Sequence, residues 1–112
     1  MKEFVMEMAE IFKALGDANR LKIVKLLMSA EEKKLCVDDL AKILNISQPA
    51  VSQHIKILKN IKVLKPNKVG FYVYYYVDKK VMNSLSEKVG KLLFLAKTDC
   101  KDHKDEKIIN KR

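Results

Sequence analysis

The chain of 112 residues has little of what marks most protein classes. Three glycines and two prolines are too few for a linker-like or low-complexity chain, and 48% hydrophobic residues indicate a folded, globular one. Two cysteines, Cys36 and Cys100, cannot build the disulfide framework of a small secreted domain. The opening MKEFVMEMAEIF is broken by Glu3, Glu7 and Glu10, so it has no apolar core of a signal peptide. The uncharged stretch Val69–Val77 falls far short of a membrane span. These absences point to a cytoplasmic chain with reduced thiols, no membrane partner and one modest core.

The most informative absence is acid. No Asp or Glu occurs from Ala41 to Val77, while Lys42, Lys56, Lys59, Lys62, Lys65 and Lys68 fall inside that window, the last five at every third position. The whole chain carries 23 basic against 14 acidic residues, a formal net charge of +9. Excess positive charge segregated into one segment suits a polyanion. Catalysis finds no support: there is no phosphate-cradling glycine loop, no His-Glu metal-hydrolase motif and no pair of carboxylates suited to acid–base work, so the chain reads as not an enzyme.

Hydrophobic spacing supplies the architecture. Phe4, Met8, Ile11, Phe12 and Leu15 recur as on a helix that Gly16 ends, and Asp17 can cap a second helix from Ala18 to about Ser29 with Leu21, Ile23, Val24, Leu27 and Met28 on its apolar side. After a polar loop, Ala30–Lys34, a short third helix runs Val37–Leu44 with Leu40, Ile43 and Leu44 inward. Asn45 and Ile46 make a turn, Ser47 caps a fourth helix, and Pro49 is tolerated in its first turn, where backbone N–H groups lack partners. Two helices joined by a short turn, the second polar and capped, form a helix-turn-helix.

The period then changes from 3.6 to 2. Lys62–Lys65 and Phe71–Val77 read as strands joined by a turn through Pro66, Asn67 and Gly70, with Lys68 at the tip. A helix from Asp78 to about Ala96 follows, carrying Val81, Leu85, Val89, Leu92 and Leu93. The expected fold is mainly α with a β-hairpin wing, a winged helix-turn-helix in the order α1-α2-α3-α4-β1-β2-α5. Residues 1–97 would form the DNA-binding and dimerisation domain, and residues 98–112 a charged tail that frays from about Lys97. The first and last helices are apolar over wide stripes that so small a domain cannot cover alone, which favours a homodimer through α1 and α5.

The segments FKALGDANRLKIVKLL, LCVDDLAKILNISQPAVSQHIKILK and VGFYVYYYV, in that order, resemble the ArsR/SmtB family of metal-sensing winged-helix repressors. The resemblance covers roughly residues 4–95. It implies a homodimer on an inverted-repeat operator in double-stranded DNA, repressing transcription until an effector releases it. The alternative is a constitutive DNA-binding protein of the same fold with no metal sensing.

The fourth helix is expected in the major groove with its N-terminal half at the base edges. Gln48 and Gln53 can make amide contacts, most naturally to adenine, and Ser47, Ser52 and His54 can reach bases or phosphates. Lys56, Lys59, Lys62 and Lys68, with Lys42 from the preceding helix, would meet phosphates and set affinity rather than sequence choice.

On sensing, the resemblance thins. Thiolate-sensing members carry Cys-Val-Cys at the start of the third helix, where this chain reads Cys36-Val37-Asp38. The family's zinc site on the last helix keeps only Asp78, because Lys80, Lys91 and Phe94 stand where ligands are needed; a persulfide-sensing cysteine would fall at about Lys25. What remains is Asp99, Cys100 and His103 near the C-terminus. Cys and His three apart share a helical face and, with Cys36, could hold As(III), Cd(II) or Zn(II). A redox pair of the two thiols, or no effector at all, stays open.

Overall fold

The computed structural model describes residues 1–29 and 34–102, with the side chains of 95–102 outside that description. The elements are α1 (Lys2–Leu15), α2 (Ala18–Ser29), α3 (Val37–Leu44), α4 (Gln48–Asn60), β1 (Leu64–Val69), β2 (Tyr72–Val77) and α5 (Lys79–Asp102). This is the expected order and fold class. The chain forms two compact units, residues 1–82 and 83–112.

Within the first unit α4 packs on α1, α2, α3 and β1. Its Val51, Ile55 and Leu58 are buried, as are Met8, Ile11, Ile23, Leu27, Leu40 and Leu64 from the other elements and Val63 just before β1. The spacing 51, 55, 58 is one helical stripe, so burying it leaves the opposite face of α4 to solvent. Some apolar positions expected inside are not. Ile43, Leu21 and Met28 are half exposed, and Ala41 and Ala14 take buried places instead.

Each turn has a local cause. Gly16 ends α1 at an ordinary φ of −82°. Its hydrogen matters because a Cβ there would lie 2.9 Å from the Phe12 carbonyl oxygen. Asn45 closes α3 in the left-handed region at φ 57°, a conformation Asn tolerates better than most residues. Ser47 then caps α4, its Oγ accepting from the Ala50 N–H at 3.2 Å.

The hairpin corrects the sequence reading. Pro66, Asn67 and Lys68 lie in β1, paired with Tyr75, Tyr74 and Val73, and the turn is only Gly70 and Phe71. Gly70 has φ 62° and Phe71 a negative φ, the pattern of a II′ hairpin turn, whose twist matches the strands. Pro66 is accommodated because the Tyr75 N–H points away from β1 and donates to the Leu35 carbonyl at 3.4 Å. The Pro66–Tyr75 pair is thus one where the two strands exchange no N–H···O bond. Only the root of the hairpin, Leu64 and Val77, is buried, and Phe71 at its tip is fully exposed.

The last helix also departs from expectation, continuing to Asp102 rather than stopping near Ala96, so the start of the charged tail is helical. Its length is consistent with the absence of Gly or Pro beyond Gly90.

Three acids secure helix starts. Asp17 Oδ1 accepts the Arg20 N–H, Asp39 Oδ2 accepts the Cys36 N–H, and Asp78 Oδ1 accepts the Lys80 and Val81 N–H groups. Asp78 Oδ2 also pairs with Lys65 Nζ at 2.8 Å, tying the wing root to the start of α5. All three carboxyls are held below the ordinary value. The leading causes are the Arg20 N–H for Asp17, the Cys36 N–H for Asp39 and the Lys65 ammonium for Asp78. The Lys65 ammonium is raised in return by its bond to Asp78. Depressed carboxyls contribute stability above the unfolded-state value of 3.8 and lose it as pH falls through their lower folded values. The raised lysine contributes below 10.5 and loses it only as pH climbs past its folded value. Thermal melts followed by circular dichroism should therefore be flat near neutrality and fall below about pH 4, more shallowly in Asp39→Asn. An Asp39→Asn variant with the full acid dependence of the native chain would contradict this role for the cap.

Candidate nucleic-acid interface

The solvent face of α4 brings together Gln48, Ser52, Gln53, Lys56 and Lys59, all exposed. Ser47 stands at its N-cap, and Lys62 follows directly after its end. Lys68 lies apart on the wing, one pair below the tip, opposite Val73. The helix N-terminus has no acid in its first turn, so its free N–H groups and positive dipole end meet no competing carboxylate on the same helix.

The six lysines of the acid-free window separate into two groups. Lys65 is bonded to Asp78, and Lys42 reaches Asp38 at 3.2 Å, one turn earlier on α3. Both acids lie just outside the window. Lys56, Lys59, Lys62 and Lys68 have no carboxylate within 4 Å among the described residues. Lys42 was expected to face a phosphate; its exposed head is shared with Asp38 instead.

His54 departs most from expectation. Expected on the exposed face, its side chain is only 17% accessible and turned toward α2. Arg20 Nη1 donates to His54 Nδ1 at 3.2 Å, and Asp17 Oδ1 lies 4.0 Å from the same nitrogen. A guanidinium can only donate, so Nδ1 is the acceptor in this contact. The same Arg20 donates from Nε to the Ala14 carbonyl and from Nη2 to the Lys13 carbonyl at 3.4 Å, covering the open C-terminal end of α1. Arg20 and Asp17 were missed as site residues in the sequence, which offers no local sign that a residue of α2 reaches 34 positions along to α4. Gln48 is likewise engaged, its Nε2 donating to Asp38 Oδ1 at 2.9 Å.

The expected metal ligands are only partly placed. Cys36 is the N-cap of α3, half-buried, with Sγ donating to Asp39 Oδ2 at 3.3 Å. No group of three His, Cys, Asp or Glu side chains gathers among the described residues. One thiol and one carboxylate from a single turn do not complete a soft-metal site. The Asp99 and Cys100 side chains, and His103 altogether, lie outside the described residues.

A polar helix presented on a helix-turn-helix, flanked by lysines and a hairpin, defines a winged helix-turn-helix DNA-binding regulator. Residues 17–62 match the helix-turn-helix family described as bacterial regulatory protein, arsR family. The chain is 40% identical over 87 residues to a cadmium resistance transcriptional regulatory protein CadC homolog of Staphylococcus aureus, covering 78% of this chain and 70% of that one. It is 42% identical over 82 residues to a transcriptional repressor SmtB homolog of a Synechocystis species, covering 72% of this chain and 60% of the relative. An ArsR-like regulator structure from a Rhodococcus species superposes with a TM-score of 0.77 over 100% of this chain and 98% of that one; at 21% identity it speaks for the fold. The chain belongs to the ArsR family of transcriptional regulators, and no catalytic role is implied. Among the described residues no helix is long and apolar enough to cross a membrane.

The Arg20 fork should be structural to α4 and not replaceable by charge alone. Arg20→Ala is expected to lower unfolding free energy by about 2 kcal/mol, since it strips charge-assisted hydrogen bonds from part-buried acceptors. Arg20→Lys should recover less than half of that, because an ammonium cannot span His54 and two carbonyls at once. Urea unfolding of the three proteins decides this, and a fully stable lysine variant would show that charge and not the fork is what counts.

Proposed function

We propose that this chain is an operator-binding repressor, acting in the cytoplasm as a homodimer on an inverted repeat. The observation that carries the reading is the solvent face of α4. It combines hydrogen-bonding side chains at the N-terminal half with lysines at the C-terminal end, on a helix that itself carries no acid. Ser47, Gln48, Ser52 and Gln53 would meet base edges. Lys56, Lys59, Lys62 and Lys68 would neutralise phosphates, with Lys42 adding to them where Asp38 releases it. His54, held by Arg20, would orient the helix. Lys62 supports the phosphate reading by its backbone: it sits at φ 66°, where glycine would be less strained, yet the residue there is a lysine.

The dimer reading draws on apolar surface in each unit. Val5, Met6 and Phe12 of α1 are about half exposed, and Leu93 and Phe94 of α5 about two thirds. Large apolar side chains left in water on two helices mark association surfaces. Residues 1–97 would make the DNA-binding and dimerisation domain, and 98–112 a charged tail. If a dimer neutralises about eight phosphates, log affinity should fall against log salt with a slope near −7. Fluorescence anisotropy across a salt series measures it; a slope shallower than about −3 would mean the lysines do not track a backbone.

Release by a thiophilic ion is the proposed regulation. It is supported by the Staphylococcus relative's description as a cadmium resistance regulator and by Cys36 at the start of α3. Asp99, Cys100 and His103 would have to supply the remaining ligands. The constitutive reading is favoured by one observation, that the Cys36 thiol already serves the capping box with Asp39. Titrating As(III), Cd(II) and Zn(II) into the preformed complex separates the two. Dissociation by one ion, abolished in Cys36→Ser or Cys100→Ser, is the expected result; a complex that survives all three leaves the constitutive binder.

A further inference from the structure

The α3–α4 junction contains a polar contact that neither the fold nor the lysine track requires. Asp38, in the first turn of α3, receives Gln48 Nε2 at 2.9 Å on Oδ1 and Lys42 Nζ at 3.2 Å on Oδ2. Gln48 is the first residue of α4, the end of the helix that would enter the groove. A glutamine amide can ordinarily rotate about its last bond and present either its oxygen or its nitrogen outward. An ionised carboxylate only accepts, so Asp38 admits the nitrogen alone and turns Oε1 away from itself. Lys42 occupies the second carboxylate oxygen, which leaves the first to Gln48.

We infer that Asp38 is a specificity-determining residue: it fixes the Gln48 amide with its oxygen toward the DNA, so that Gln48 reads a base bearing an exocyclic amine. In the major groove adenine offers N6–H and cytosine N4–H, whereas guanine O6 and thymine O4 are acceptors and would face Oε1 without a proton between them. The second Nε2 hydrogen remains for adenine N7, so adenine is the better match of the two. Asp38 itself touches no base; it acts through Gln48. The inference rests on the reading of α4 as the groove helix and specifies what its first residue selects.

The test is selection of duplexes from a randomised pool by the full-length protein, then anisotropy titrations on the selected duplex and all its single base-pair variants. For the native chain, one position per half-site should require adenine or cytosine on the strand read, and placing guanine or thymine there should weaken binding about tenfold. In Asp38→Ala that penalty should shrink to about threefold or less while preferences at the other positions persist. Gln48→Ala should lose preference at the same position, and the double variant should be no more relaxed there than Gln48→Ala alone, the sign that the acid works through the amide. If Asp38→Ala raises affinity uniformly and keeps the preference, Asp38 is only a repulsive charge and the inference is overturned. It is also overturned if Gln48→Ala relaxes no position while other positions stay selected, since Gln48 then reads nothing. Failure of the native chain to select any sequence would instead strike down the operator-binding reading itself. Circular dichroism melts of each variant guard against lost folding, since both residues are solvent-exposed or nearly so.

Discussion

The buried stripe Val51–Ile55–Leu58 is the constraint on which the rest depends. A helix has one inward stripe, and committing α4's to the core against α1, α2, α3 and β1 decides which side chains can meet anything outside. Gln48, Ser52, Gln53, Lys56 and Lys59 are presented because the stripe opposite them cannot be moved without exposing residues that are at most 2% accessible. Burying these aliphatic side chains is worth roughly 1.5–3 kcal/mol each, far above the worth of any surface ion pair nearby. Packing thus dictates the interface, and electrostatics only furnishes it.

Charge is then sorted by the acids at the edges of the basic window. Asp38 and Asp78 each hold one lysine, and each also does backbone or side-chain work, at Gln48 and at the start of α5. Among the described residues, Lys56 and Lys59 on α4, Lys62 after it and Lys68 on the wing have no carboxylate within 4 Å. Their spread runs from α4 through the segment after it to the hairpin. A duplex carries phosphates on both edges of its major groove, so such a spread fits a backbone track better than one dense cluster would.

Between the core and the interface lies a polar joint. Arg20 gathers two carbonyls at the end of α1 and the ring of His54 on α4, while its own N–H is received by Asp17. Guanidinium is suited to this because its donors diverge in one rigid plane. The joint connects a helix with exposed apolar side chains, α1, to the helix that carries the candidate base readers. Cys36 belongs to a similar local economy at the start of α3, where its thiol and N–H both go to Asp39. A residue singled out for soft-metal chemistry thus has a structural use in the described chain.

The number, order and type of elements were legible in the sequence, because 3.6- and 2-residue periods, Ser47, Asn45 and Gly16 act over a few neighbouring positions. So was the polar face of α4, whose composition differs visibly from its buried stripe. The strand limits were misread at Pro66 and Asn67, since their acceptance in β1 depends on the Tyr75 N–H turning to Leu35, a bond made across the fold. His54 was misplaced for the same reason: its partner Arg20 is remote in the chain, and only packing of α2 on α4 brings them together. The sequence by itself determined the helices, the hairpin and the excess of positive charge, all properties of local pattern. That Lys65 is bound, which way Gln48 faces and what holds His54 were decided by tertiary structure, because each depends on a carboxylate or guanidinium delivered from outside its own element.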